Sequence, residues 1–243
     1  MNNELILLSK NDIPFVEAQV NIHQPTIREI SLISEESFQI GIRFLNFSID
    51  SLPNEDKVSL MNKSDFEVFM SIMNSDEKAQ YKVSALLVLA LLFPEHTIKF
   101  TEQEIILAGP SGLARINKDN YGVFKDIIAT MFCLNEDSAG QGEDYNPADA
   151  FAAKIADKLK KGRANNGTQK DISKVSIYSR YVSILAVGLQ KDINSLVNYT
   201  VYQLKDEFKR FQLKQDFDIY LKAKLAGAKD LDEVDNWMDD IHP

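Results

Sequence analysis

The chain is poor in the residues that most often carry catalysis or bind metals. Its 243 residues include one cysteine, three histidines and one tryptophan. The histidines lie more than seventy residues apart, at His23, His96 and His242, and Cys133 has none within thirty residues. A single cysteine excludes an intramolecular disulfide and is typical of a reducing compartment. We therefore expect a protein that is not an enzyme, with no catalytic, metal-binding or cofactor-binding residues.

Positive charge is also in short supply. Acidic residues outnumber basic ones by 36 to 27, which gives a formal net charge of −9. A basic stretch does run from Lys154 to Lys174, but no aromatic residue interrupts it. Binding to nucleic acid or to an anionic membrane needs clustered cations, and single-stranded nucleic acid needs aromatic platforms as well. We expect neither kind of partner. The basic stretch and the acidic C-terminus are two solvated faces, or they pair with each other within one chain or between protomers.

Long hydrophobic runs are missing. The most apolar stretch is Val83–Phe93, interrupted only by Ser84. Eleven residues of helix rise only about 16 Å, roughly half the thickness of the hydrocarbon layer of a membrane. This stretch therefore predicts a buried helix. The residues after Met1 show no basic segment followed by a long apolar core. We expect a cytoplasmic protein.

Several short patterns indicate secondary structure. Apolar side chains alternate with polar ones at Val16, Ala18, Val20 and Ile22, which predicts a strand. Ile98–Phe100 and Ile105–Leu107 flank a polar tetrapeptide and predict a β-hairpin. Ser64 and Glu67 have the spacing of a capping box at the start of a helix. Cys133 lies in an apolar run, so we expect a buried structural thiol.

Together these patterns predict an α+β protein dominated by helices. Residues 136–145 are glycine-containing and acidic, so we place a domain boundary there; 162–169 is a second flexible candidate. Residues 1–145 form a mixed region with a few short antiparallel strands. Residues 146–243 form a helical region with helices at about 146–161, 172–188, 200–226 and 231–240.

The helix predicted at 200–226 carries two apolar stripes. The first contains Val201, Leu204, Phe208 and Phe211, and one such stripe normally docks a helix on its own domain. The second lies on a rotated face and needs another helix of the same chain or another molecule. We predict that this second stripe, partly covered by Trp237 and its neighbours in the tail, binds a partner. The predicted partner-binding residues are Leu213, Phe217, Tyr220, Leu221, Leu225 and Trp237.

Four parts of the sequence resemble a known family. They are 199–211, which reads Tyr-Thr-Val-Tyr-Gln-Leu at its start, the C-terminal 226–242 with Asn236-Trp237-Met238, Ile22–Ile27, and Asp144–Pro147. Together they resemble tail assembly chaperones of tailed phages and prophages of low-GC Gram-positive bacteria.

The resemblance implies a function without bond-making chemistry. Such a chaperone keeps the long, helical tape-measure protein soluble until tail-tube subunits polymerise around it. The implied partners are the tape-measure protein and the tail-tube protein, bound through helix-in-groove contacts, and a homo-oligomer is possible. Two alternatives stay open: a structural tail or neck component of the virion, and a small enzyme whose site assembles only in three dimensions.

Overall fold

The computed structural model describes residues 4–52, 60, 62–75, 79–110, 112–134, 176–228, 231 and 234–238. It has the mixed α+β class that the sequence predicts, with small antiparallel sheets near the N-terminus and helices towards the C-terminus. The helices are α1 Glu4–Ser9, α2 Ile27–Ser31, α3 Glu35–Leu45, α4 Asp65–Asn74, α5 Ala79–Leu92, α6 Tyr121–Met131, α7 Ile177–Leu189, α8 Ile193–Leu196 and α9 Val201–Leu225. The strands are β1 Ile13–Phe15, β2 Val20–Ile22, β3 Thr97–Phe100, β4 Glu104–Gly109 and β5 Gly112–Asn117.

The first sheet corrects the predicted strand that began at Val16. Strands β1 and β2 pair antiparallel, and the 3-10 turn Val16–Ala18 joins them. Gln19 follows in the left-handed region with φ of 55°, so the alternating pattern crosses a turn rather than one strand. Val16, expected on the inner face, is 74 % exposed. The predicted alternation of burial holds from Ala18 to Ile22, but only Val20–Ile22 of this segment is a strand.

The second sheet contains the predicted hairpin and one strand more. β3 and β4 pair antiparallel with Ile98 opposite Leu107, as expected, and β5 then pairs with β4 on its other side. Gly109 and Gly112 face each other at the turn between β4 and β5. Ala114 and Ile116 of β5 are buried while their neighbours are exposed or half-buried, so the strand has the usual alternation that the sequence reading overlooked.

The helices form where their capping residues predict. Ser64 accepts a hydrogen bond from the Glu67 amide, and the Glu67 carboxylate accepts one from the Ser64 amide, so the predicted capping box starts α4. Helix α5 contains nearly all of the predicted apolar stretch, but only one face of it is buried, since Val83 is 54 % and Leu86 is 40 % exposed. The buried face crosses α3 at Gly41. A Cβ atom on Gly41 would lie 2.4 Å from the Ser84 carbonyl oxygen and 2.6 Å from Val88 Cγ2, so only glycine permits this approach.

One continuous apolar core includes residues from both ends of the chain. Aromatic rings stack through its centre, with Phe124 lying 5.9 Å from Phe15 and 6.1 Å from Phe93 between ring centroids. The same core takes in Leu185 of α7 and Leu204 of α9. The predicted boundary at 136–145, the predicted helix at 146–161 and the flexible candidate at 162–169 lie outside the described residues, so the division into two regions stays a prediction.

Among the described helices, none combines the length and the apolar character that crossing a bilayer requires.

Candidate functional site

The long C-terminal helix α9 is positioned by its N-terminal capping residue, Thr200. The Thr200 hydroxyl accepts a hydrogen bond from the Gln203 amide at 3.2 Å, and Gln203 Oε1 accepts one from the Thr200 amide at 2.9 Å. Gln203 Nε2 also donates to the carbonyl of Leu8 at 2.6 Å, which ties α9 to α1. The helix has 25 residues and is therefore about 37 Å long.

The first half of α9 docks on the body of the protein. Val201, Tyr202 and Leu204 are buried. The Phe208 ring stacks on Tyr181 of α7 with 4.1 Å between centroids. Phe211 lies against Gly188 of α7, where an added Cβ would come within 2.4 Å of the Phe211 ring. The first predicted stripe thus docks the helix, as the sequence indicates.

The second half of α9 is more exposed. Of the predicted partner-binding residues, Leu213, Phe217 and Tyr220 are half-buried, whereas Leu221 is 40 % exposed and Leu225 is 88 % exposed. The helix ends at Leu225. Gly227, two residues later, has a φ of 89° that suits glycine and lets the Ala228 amide donate to the carbonyl of Ala223. Apolar side chains in this half therefore remain accessible to another molecule.

Trp237 lies beside the first half of α9. It is half-buried and lines a groove of about 380 Å³ between α1, the end of α7 and α9. The groove is also lined by Leu8, Leu189, Tyr199, Gln203, Asp206, Glu207, Arg210, Phe211 and Lys214. Residues 234–236 are not helical and Trp237 and Met238 form a turn, so the predicted acidic helix at 231–240 is wrong over these residues.

Arg210 connects the helix to the tail. Its Nη1 donates to the carbonyl oxygen of Trp237 at 3.3 Å, and its Nε lies 3.5 Å from a carboxylate oxygen of Asp206, one helical turn earlier. Asp206 is buried and α9 supplies both residues of this pair. Sequence reasoning missed Arg210, although its spacing of four from Asp206 was a signal for an ion pair.

A second charged group, Lys191, contacts two of the residues that line the groove, Tyr199 and Glu207. The Lys191 ammonium pairs with the Glu207 carboxylate and donates to the Tyr199 hydroxyl at 3.0 Å. It also lies 5.4 Å from the centre of the Tyr199 ring. Partial burial opposes the charge of Lys191, but the hydrogen bonds to Glu207 and Tyr199 outweigh it and raise the pKa of Lys191 above its ordinary value. The groove therefore has apolar walls and fixed charges at its rim.

A larger, open cavity of about 1100 Å³ lies between α4 and the ends of β4 and β5. Four of its charged side chains form two ion pairs across its own wall. Arg115 Nη1 lies 2.9 Å and 3.2 Å from the two carboxylate oxygens of Glu104, and Lys118 lies 3.2 Å from Glu67. No residue predicted as partner-binding lies there.

Across the described ranges, no group of three or more histidine, cysteine, aspartate or glutamate side chains could hold a metal ion.

A comparison with protein families matches the C-terminal third of the chain. Residues 164–242 match the family model described as the YomV second domain, which is of phage type and indicates a phage protein. The match spans α7, α8, α9 and Trp237, and therefore the groove except for Leu8 of α1. No curated protein and no solved structure matches the chain.

Proposed function

We propose that this protein is a non-catalytic phage tail assembly chaperone that binds the tape-measure and tail-tube proteins in the host cytoplasm. One observation carries the proposal. The second half of α9 presents apolar side chains outside the apolar core, with Leu225 88 % exposed and Leu221 40 % exposed. Two leucines at a spacing of four residues lie on one helical face, which is the arrangement that receives an amphipathic partner helix.

Two further observations support it. The phage-type family match places the groove walls formed by α7 and α9 in a phage context. The resemblance of 199–211 and 226–242 to tail assembly chaperones concerns the same part of the chain. A tape-measure protein is long and helical, so its apolar stripes need temporary cover before the tube closes around them. A negatively charged carrier with a short apolar face would provide that cover without a cofactor.

The test is to place charge on the exposed leucines. The double substitution Leu221→Glu and Leu225→Glu should weaken binding to purified tape-measure fragments at least ten-fold, because each leucine contributes up to about 1.5–3 kcal/mol when fully buried. Isothermal titration calorimetry gives the dissociation constant. Since both side chains are exposed in the free protein, the melting temperature should change little.

Ile219→Glu is the matched control. Ile219 is 61 % exposed, but at about 100° per residue it lies on the opposite side of α9 from Leu221. Its substitution should leave binding unchanged. Equal loss in the control and the double variant, or no loss in either, would contradict the proposed surface.

A separate observation distinguishes a chaperone from a virion component. A chaperone leaves when the tail is complete, so mass spectrometry of purified particles should not find this chain. Its stoichiometric presence would favour the structural alternative. A gene position between those of the tail-tube and tape-measure proteins would support the chaperone.

A further inference from the structure

We propose that the groove around Trp237 is an anchor site for an aromatic side chain on an acidic partner segment. In the free protein, Trp237 of the chain's own C-terminal segment occupies part of this site. The inference rests on the proposed function, because the face of α9 that forms the groove continues towards the proposed partner surface. The partner segment and the tail would then exclude each other.

The shape of the groove fits an aromatic anchor. Leu8, Leu189 and Phe211 provide apolar walls, and Trp237 is half-buried between them and α9. About 380 Å³ remains open beside Trp237, which is within the range of sites that bind small ligands. The site can therefore accept more than the indole it already contacts.

The tail is held in a way that permits exchange. Arg210 Nη1 donates to the backbone carbonyl of Trp237 in the tail. Because this is a backbone contact, it does not require a particular side chain at that position. Met238 is 66 % exposed and Asp235 is exposed. The described tail residues lie outside helices and strands, so no regular ladder of backbone hydrogen bonds binds them to the body. A backbone carbonyl of a competing segment could accept the same hydrogen bond from Arg210.

Charge indicates what kind of segment competes. From 205 to 228, α9 and its end carry six cations against four carboxylates. Two of the carboxylates, Asp206 and Glu207, line the groove and pair with Arg210 and Lys191. The cations are Lys205, Lys209, Arg210, Lys214, Lys222 and Lys224, and the other two carboxylates are Asp216 and Asp218. From 229 onward, the tail carries one lysine against six carboxylates: Asp230, Asp232, Glu233, Asp235, Asp239 and Asp240. Opposite net charges favour association and increase its rate. An acidic segment with an aromatic residue would reproduce both properties of the tail.

The helical phase links the groove to the exposed leucines. At about 100° per residue, Leu221 projects from α9 in the same direction as Gln203, and Leu225 in the same direction as Glu207. Gln203 and Glu207 line the groove. A partner that inserts an aromatic side chain at Trp237 would therefore meet Leu221 and Leu225 farther along the same face.

The single tryptophan makes the test direct. The full-length Trp237→Ala protein has no tryptophan, so the fluorescence of a synthetic peptide with the sequence of residues 229–243 reports only on the peptide. The peptide should bind this variant at least ten-fold more tightly than the wild type, because the occupied fraction of the groove reduces the apparent affinity. Its emission should move to shorter wavelength on binding. The same peptide with alanine in place of tryptophan, followed by isothermal titration calorimetry because it has no fluorophore, should bind at least ten-fold more weakly.

Two further variants control the result. Met238→Ala changes an exposed neighbour that does not line the groove, and should bind the peptide as weakly as the wild type. Adding Leu8→Glu to Trp237→Ala puts a carboxylate into the groove wall, and should abolish binding. In the wild type, the emission of Trp237 should move to longer wavelength when Arg210 is replaced by alanine, which tests the contact even if Trp237→Ala folds poorly.

Three results would overturn the inference. The peptide could bind the wild type and Trp237→Ala equally, or Trp237→Ala could lose stability without gaining affinity, which would make Trp237 a permanent core residue. Light scattering could show a wild-type dimer that becomes monomeric in Trp237→Ala, which would place the tail on a second copy. If the peptide test fails while Leu221→Glu/Leu225→Glu still loses tape-measure binding, the proposed function stands and only the anchor site is wrong.

Discussion

Thr26 and Thr200 form a single antiparallel bridge, and each caps the helix that follows it. Both side chains are buried, Thr26 at 4 % and Thr200 at 1 % exposure. Next to the bridge, the amides of Ile27 and Arg28 at the start of α2 donate to the carbonyls of Tyr199 and Val197. These are amides that a helix cannot satisfy internally. The start of α2 is thus completed by the residues just before α9.

The first prediction concerns these caps. Thr200→Val keeps the shape of the side chain and removes the oxygen that accepts the Gln203 amide. Because the site is buried, water cannot replace that oxygen, and the free energy of unfolding should fall by about 1–2 kcal/mol. Thr130→Val is the control. Thr130 is exposed and its hydroxyl donates to the Asp126 carbonyl, so the change should stay within about 0.5 kcal/mol. Urea denaturation followed by circular dichroism measures both, and equal effects would contradict the cap.

The second prediction concerns the crossing of α3 and α5. Gly41→Ala would place a methyl group 2.4 Å from the Ser84 carbonyl, so the helices must separate and stability should fall by about 1–3 kcal/mol. Gly122→Ala in α6 meets no atom within 4 Å and should stabilise by about 0.5–1 kcal/mol. The midpoints of urea unfolding should therefore move in opposite directions. A stabilising Gly41→Ala would show that the crossing is looser than the structure describes.

The third prediction concerns the Glu67 carboxylate. Hydrogen bonds from the Ser64 amide and hydroxyl, helped by Lys118, lower the pKa of Glu67 to about 2 from an ordinary value of 4.5. A lowered pKa stabilises the folded state above pH 4.5, and that contribution is lost as the pH falls towards about 2. The stability difference between wild type and Glu67→Gln should therefore shrink over this range.

Carboxyl carbon chemical shifts measure this pKa directly. Ser64→Ala should raise the pKa of Glu67 back towards its ordinary value, and Lys118→Ala should raise it less, because Lys118 is exposed and solvent screens its charge. A wild-type titration near pH 4.5 would refute the hydrogen-bonded carboxylate.

The fourth prediction concerns Cys133. It is 4 % exposed and has φ of 51°, at the position after α6 where glycine is usual. The Leu134 amide donates to the Ala129 carbonyl and the Cys133 amide to the Thr130 carbonyl, which completes this helix end. The predicted burial of the thiol is confirmed. Labelling by a disulfide reagent should be on the order of a hundred-fold slower than in urea, since the helix end must open first. A native rate close to the unfolded rate would contradict this.

Patterns of a few neighbouring residues predicted much of the secondary structure. Contacts between residues far apart in sequence could not be predicted. Ser64 with Glu67 and the hairpin at Ile98–Leu107 depend on residues a few positions apart, and both are confirmed. Val16 was misassigned because a period of two continues through a turn whose Gln19 takes a left-handed conformation. β5 was not predicted, because Gly109 and Gly112 indicate a turn and give no signal for the strand that follows it.

The candidate site shows the same division. The apolar stripes of α9 follow from its periodicity, and the exposure of Leu221 and Leu225 is compatible with the predicted surface without testing it. The position of Trp237 could not be predicted, because a chain that leaves a helix at Gly227 can return along any face. Leu8 was equally hidden. Its backbone carbonyl accepts a hydrogen bond from Gln203, which is 195 positions away in sequence and also lines the groove.

The bridge between Thr26 and Thr200 has a consequence for the order of events during synthesis. The first helices leave the ribosome long before the residues that complete them, and a contact across so much sequence is slow to form. Until residues 197–204 have emerged, the amides of Ile27 and Arg28 lack their protein partners, and Leu204 has not yet joined the core. A nascent chain stalled before residue 197 should consequently be more open to proteases around α2 than the complete chain. Synthesis of the segment that leads into α9 is therefore the step that fixes the start of α2.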